Sequence, residues 1–305
     1  TSISDGTFGF HSYTYNNRGF LTKEKLTVYI RDNNGKVSTK KEESLDYSYD
    51  ENGNILKAGT TSFSYDSTIK DRLDKVNNAT IYYSSTNPLN PSSYKNNSYT
   101  FEGRRLVKVK KDYGSSYDEI TYEYNDEGLR TAKYIYHGFY DDTEEYGEDY
   151  KYYYEQDKLI TEIGPEARLD FLYDENDELY GFIKDTKDKY YYVRDFMKNI
   201  LGIIDNKGNL VVQYSYTAYG KYGVQGDLLL DNINPFKYKD YYYDSETRMY
   251  YCKSRYYVHE WCRWLNGDNV AYLDTEDING MNYLVIVEII QLREWILMEM
   301  HGIIG

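Results

Sequence analysis

Two acidic phrases have the opening spacing of a calcium loop: Asp50-x-Asn52-x-Asn54 and Asp174-x-Asn176-x-Glu178. Side-chain oxygens at alternate positions are what a hard cation requires, but such a loop also needs Gly at its sixth position and a bidentate Glu at its twelfth. Here the sixth positions are Ile55 and Leu179, and the twelfth are Thr61 and Asp185. Both phrases therefore read as hairpin turns. His11, His137, His259 and His301 form no close pair and no helical i, i+4 pair, so no metal-ligand set is assigned. Cys252 and Cys262 match no zinc or redox spacing and read as buried thiols, with a disulfide between them as the weaker alternative. Acidic residues are too frequent for a general acid–base pair to be singled out. No catalytic, metal or cofactor-binding residue is assigned, no cofactor is expected, and the chain is expected to be non-enzymatic.

The elements that would carry these residues are strands. The 305 residues include 41 Tyr, four Pro and only six Ala, and aromatics favour pleated sheets while Ala favours helices. With 36 basic against 50 acidic residues the net charge is −14 and the pI about 4.8. That charge repels phosphate backbones and anionic lipid, which disfavours nucleic-acid binding. The most apolar stretch, Leu284 to Met298, is broken by Glu288, Arg293 and Glu294 and is too short for a membrane span. Thr1-Ser2-Ile3-Ser4-Asp5-Gly6 reads as a start within a longer protein or after processing.

One phrase recurs along the chain. Its clearest copy is Tyr47-Ser48-Tyr49-Asp50-Glu51-Asn52-Gly53-Asn54-Ile55-Leu56, with looser copies beginning at Tyr13, Phe63, Tyr99, Tyr122, Tyr152, Phe171 and Tyr190. Aromatics at i and i+2 fall on one face of a strand. The following Asp or Asn can accept hydrogen bonds from its own turn, and Gly53, three positions on, supplies the positive φ that closes a hairpin. Each copy is thus one β-hairpin, and their succession predicts an all-β chain of antiparallel hairpins in one winding sheet. Asn87 to Ser93 and Gly138 to Asp149 are the best loop candidates.

A denser pattern follows: Tyr214-Ser215-Tyr216-Thr217-Ala218-Tyr219-Gly220, Asn234-Pro235-Phe236-Lys237-Tyr238, Tyr241-Tyr242-Tyr243-Asp244-Ser245-Glu246-Thr247, and Tyr250-Tyr251-Cys252-Lys253-Ser254-Arg255-Tyr256-Tyr257. It resembles the RHS repeat-associated core domain, and the upstream hairpins look like the YD repeats that lead into it, as in bacterial polymorphic and wall-associated toxins. The family-motif residues by this resemblance are Tyr49, Asp50, Gly53, Asn234, Pro235, Phe236, Tyr242, Tyr243, Asp244, Ser254, Arg255, Tyr256 and Tyr257. The resemblance implies a spiral YD-repeat shell, present here in part, with residues 1–194 as shell, 195–283 as core and 284–305 as an aberrant tail that could form a short helix. Three departures stand out: Arg248 and Cys262 where the family usually has Gly, and Val258-His259 where it usually has Asp-Pro.

The expected function is that of a structural fragment, truncated, of a shell that encloses or displays a C-terminal effector. Its expected partners are the rest of that shell and the effector, with a secreted or cell-surface location implied by the resemblance. One alternative is an adhesion module whose tyrosines stack on surface glycans, and another is the self-cleaving aspartyl-type core of the family. The tail suggests a specific origin. Read one nucleotide out of phase, Trp295-Ile296 must encode Asp and Met298-Glu299 must encode Gly three positions later, while Ile286 to Gln291 permits Cys-Gly-Asn-Asn-Pro; this is the spacing at which the family writes its cleavage motif. Sequencing the coding DNA is expected to show Asn-Asn-Pro and Asp-x-x-Gly codons in the shifted frame, and their absence would leave the amphipathic helix as the reading of the tail.

Overall fold

The computed structural model describes residues 2–4, 8–32, 35–141 and 145–267. The tail beyond, with its frame-shift and helix readings, lies outside the described residues. The described residues are nearly all antiparallel β, as expected, in successive hairpins; the strands Tyr242–Asp244, Met249–Cys252, Arg255–Val258 and Arg263–Trp264 form a second, four-stranded sheet. The chain's described residues divide into two compact units that interleave along the sequence: one contains those up to Ala79, Tyr214–Gln225 and 257–267, the other those within Thr80–Gln213 and Gly226–Tyr256.

The repeated phrase folds as its residues dictate. Tyr47 is buried at the end of the strand Val37–Tyr49, and Ile55, which opens the return strand Ile55–Ala58, is buried opposite Tyr49. Between them Asp50 Oδ1 accepts from the N–H groups of Asn52 (2.9 Å) and Asn54 (2.8 Å), and Gly53 sits at φ 84°. Those bonds use the carboxylate within its own turn, the Asx geometry expected of a short polar side chain before a Gly. Asn16, Asn125 and Asp205 repeat it with Gly19, Gly128 and Gly208 at φ 85°. Asp174 and Asp195 build the same turn without Gly, and Asp177 and Lys198 take the positive φ instead.

A second feature accompanies each turn. The pairing shifts register by a β-bulge at the residue before the Asp or Asn, including Tyr15, Tyr49, Tyr65, Tyr124 and Tyr173. At three of these bulges the displaced tyrosine reaches across to an earlier strand: its hydroxyl donates to Ile55 O from Tyr65 (2.9 Å), to Leu106 O from Tyr124 (2.6 Å) and to Leu159 O from Tyr173 (3.0 Å), whereas Tyr49 bonds the Tyr219 hydroxyl instead (2.7 Å). A buried carbonyl at a bulge would otherwise lack a donor, so in these three copies the second aromatic of the phrase ties one hairpin to the one before it.

Both loop candidates are shorter than expected. Pro91–Tyr94 is a strand, with Pro91 at its first residue where a missing N–H is tolerated. Strands Arg130–Phe139 and Glu145–Glu155 extend into the second. The spacer after Gly226 forms a short helix, Leu228–Ile233, whose N-cap Asp227 accepts from Leu229 N and Leu230 N. The departures at Arg248 and Cys262 fall where glycine would be easiest: φ is 58° at Arg248 and 54° at Cys262. Arg248 is exposed and contributes little packing. Arg248→Gly is therefore expected to stabilise the protein by up to about 1 kcal/mol, read as a higher urea midpoint at unchanged slope; an unchanged or lower midpoint would contradict this.

Candidate functional site

In the unit formed by Thr80–Gln213 and Gly226–Tyr256, the most concentrated chemistry is buried. Arg130 opens the strand Arg130–Phe139, and Asp244 closes the strand Tyr242–Asp244; both are 0% exposed. The guanidinium holds Asp244 with two bonds, 2.6 and 3.0 Å, and Lys133 adds a third at 3.2 Å. Four tyrosine rings surround the guanidinium carbon, Tyr251 at 4.4 Å, Tyr242 at 4.7 Å, Tyr152 at 4.8 Å and Tyr122 at 5.3 Å. Forked pairing plus ring faces is what a planar guanidinium accepts and an ammonium does not. The Tyr251 hydroxyl also takes the Arg130 backbone N–H at 2.8 Å.

Burial alone would raise the Asp244 carboxyl, but Arg130 and Lys133 outweigh it and hold it below the usual carboxylate range. Glu246, 2.9 Å from Lys133, is raised by burial. Glu162, from the strand Lys158–Ile163, is pushed up to about 7 by burial, against the pull of Lys133. The cluster thus joins one carboxyl held low, Asp244, to two that burial raises, Glu246 and Glu162. Asp244, Tyr242, Glu246 and Tyr251 belong to the dense pattern and Tyr122 and Tyr152 to the repeated phrase, whereas Arg130, Lys133 and Glu162 carried no sequence signal.

The other motif residues serve separate local tasks. Asn234 ends the short helix, accepting from the Tyr192 hydroxyl (2.6 Å) and donating to Phe236 O (2.8 Å). Pro235 O accepts from Tyr243 N at 2.7 Å, and Phe236 packs edge-on against Phe171. Tyr256 bonds Tyr124 (3.0 Å) and reaches Arg130 (3.4 Å), whereas Ser254 is exposed in the turn before Arg255, which begins the strand Arg255–Val258. In the other unit Tyr49 bonds Tyr219, and Tyr257 donates to Tyr219 O. Of the motif residues, Tyr242, Asp244 and Tyr256 thus meet at Arg130, and the others do not join them there.

That unit has its own buried carboxylate. Glu24, 0% exposed, accepts from the Tyr47 hydroxyl (2.8 Å) and Ala218 N (2.9 Å) and lies 3.3 Å from His11. Cys252 and Cys262 form no disulfide; Cys252 is half-buried rather than buried, and burial raises the Cys262 thiol. His137 lies between Asp118 (2.7 Å) and Glu148 (3.5 Å). Among the described residues no three His, Cys, Asp or Glu side chains are grouped to hold a metal ion, and no helix is long and apolar enough to cross a membrane.

No model of a known protein family matches the chain. It is similar to the tRNA3(Ser)-specific nuclease WapA of Bacillus spizizenii, 25% identical over 225 residues, and to the tRNA nuclease WapA of Bacillus subtilis strain 168, 26% identical over 227 residues; each match covers 70% of this chain and 9% of the relative. The chain thus spans about a tenth of the length of the curated relatives it matches. In fold it is similar to TcdB2-TccC3, with a TM-score of 0.65 and 15% identity over 93% of this chain and 15% of that one. TcdB2-TccC3 solved without its hypervariable C-terminal region gives 0.64, at 15% identity over 92% and 15%. The expectation of a non-enzymatic chain is corrected by these relatives, whose names as tRNA nucleases point to enzymatic activity. The charge balance argued against nucleic-acid binding and describes the residues of this chain alone. Sequence relatives and fold neighbours together support a protein of the RHS-repeat family.

Proposed function

We propose that the chain is part of the wall of an RHS/YD-repeat casing that encloses or displays a C-terminal effector, and that the parent protein acts on tRNA. The observation that carries the casing is the serial coupling of hairpins: an Asx turn, a bulge, and a tyrosine hydroxyl tying a hairpin to an earlier strand. Such a device adds wall by repetition and needs no core of its own per hairpin. The fold similarity to TccC3, solved also without a hypervariable C-terminal region, supports a wall with a separable end. The similarity to the WapA nucleases supports RNA hydrolysis as the activity of the whole. Within this reading residues 195–283 act as the core, and location is secreted or at the cell surface.

The test uses the full-length parent protein. Limited proteolysis is expected to leave the C-terminal segment intact while the casing is closed and to degrade it after mild denaturation, and the released segment is expected to cleave tRNA. A C-terminal segment digested at the same rate in both states would overturn the casing, and intact tRNA after release would overturn the assigned activity.

A further inference from the structure

The buried cluster has an odd carboxyl. Arg130 and Lys133 bring two positive charges against the three carboxyls of Asp244, Glu246 and Glu162. Asp244 is held by Arg130 and Lys133, and Glu246 pairs with Lys133. Glu162 is 5% exposed; Tyr242 hydrogen-bonds its carboxyl, but Oε2 is left without a donor. A buried carboxylate oxygen with no donor is costly and uncommon, and it marks a place where a partner is missing.

That carboxyl lines a cavity. Glu162 and Glu246 face a space of about 40 Å³, walled also by Tyr150, Tyr242, Tyr243 and Pro235 and open to solvent. The volume suits a group of one or a few heavy atoms. Glu166, exposed, adds a further negative charge to the lining. Lys133 is the one cation on the lining, and its ammonium is already engaged by Asp244 and Glu246 and lies 4.2 Å from the centre of the Tyr150 ring.

We propose that this cavity binds a compact monovalent cation bearing N–H donors, an ammonium ion or the ammonium head of a primary amine. The carboxyl excess repels anions. A divalent cation would need six or more oxygens in regular array, which the described lining does not group. An N–H donor satisfies Glu162 Oε2 directly, and the ring faces add cation–π attraction, as they already do for Lys133. The ligand competes with the proton on Glu162, so binding strengthens as pH rises past neutrality. The groups facing Glu162 that set this balance are Lys133 and Arg130, which favour its ionised form, and Asp244, which opposes it.

The experiment compares thermal unfolding of the full chain in ammonium chloride, sodium chloride and tetramethylammonium chloride at matched ionic strength. At pH 8 ammonium is expected to raise the midpoint by roughly 2–4 °C over the other two when present at about ten times its dissociation constant. At pH 5.5, with Glu162 protonated, the three salts are expected to coincide. Glu162→Gln should remove the ammonium effect at pH 8. Three salts that coincide at pH 8, an ammonium effect equally large at pH 5.5, or one retained by the Gln variant would each overturn the proposal. The pH comparison needs only the unaltered protein, so it stands even if the variant fails to fold.

Discussion

Asp244→Ala is expected to destabilise its unit by about 3–5 kcal/mol, a large share of the roughly 5–15 kcal/mol that holds a domain folded. The reason is what remains behind. Arg130 and Lys133 would stay fully buried, among tyrosine rings, with the acceptor of three of their hydrogen bonds gone. Removing one partner of a buried ion pair costs more than the pair itself contributes, because the survivor's desolvation is no longer compensated. The double variant Arg130→Met with Asp244→Leu should therefore be less damaging than Asp244→Ala alone. Urea unfolding of the two proteins checks this. A loss below about 1 kcal/mol for Asp244→Ala would mean that water replaces the carboxylate and that the cluster is not a clamp.

Stability is expected to fall as pH rises from about 4.5 to about 7. Glu162 is held up to about 7 and Asp240 up to about 6, in both cases first by burial, with Lys133 and Arg194 respectively pulling the other way. In an unfolded chain both carboxyls titrate near their ordinary values, so between those values and the folded ones the folded state binds the extra protons. Raising pH through that window withdraws them and weakens the fold. For Glu162 a shift of this size corresponds to about 3 kcal/mol. Glu162→Gln should thus stabilise the protein by about that amount at pH 8 and leave it unchanged at pH 4. Asp244, held low, acts in the opposite sense and makes the fold lose stability in more acid solution. Chemical unfolding at a series of pH values measures both slopes, and a Gln variant whose stability parallels the original at every pH would refute the assignment to Glu162.

What was legible in the chain was local. Asp50 and Gly53 lie three residues apart, and their turn follows from a side-chain acceptor and a positive φ, so spacing alone foretold it. Likewise Arg248 and Cys262 were readable as departures because the family pattern expects glycine there, and both take a positive φ. The cluster was not legible, since Arg130 and Asp244 are 114 residues apart and nothing local separates Arg130 from any other strand residue. The role of the second tyrosine was also missed: the phrase shows which face Tyr65 occupies, but not the bulge that lets its hydroxyl reach Ile55 O. The helix at Leu228–Ile233 was hidden by its shortness, although Asp227 is an ordinary N-cap residue. The nuclease connection has no trace in the described residues and came only from relatives.

The central claim is that these hairpins are wall. Electron cryomicroscopy of the full-length parent protein tests it most directly. The account predicts a continuous β wall in which this chain's successive hairpins follow one another around an enclosed space that holds density for the C-terminal segment. A map in which this chain stands apart from any wall, with the C-terminal segment free in solvent, would contradict it.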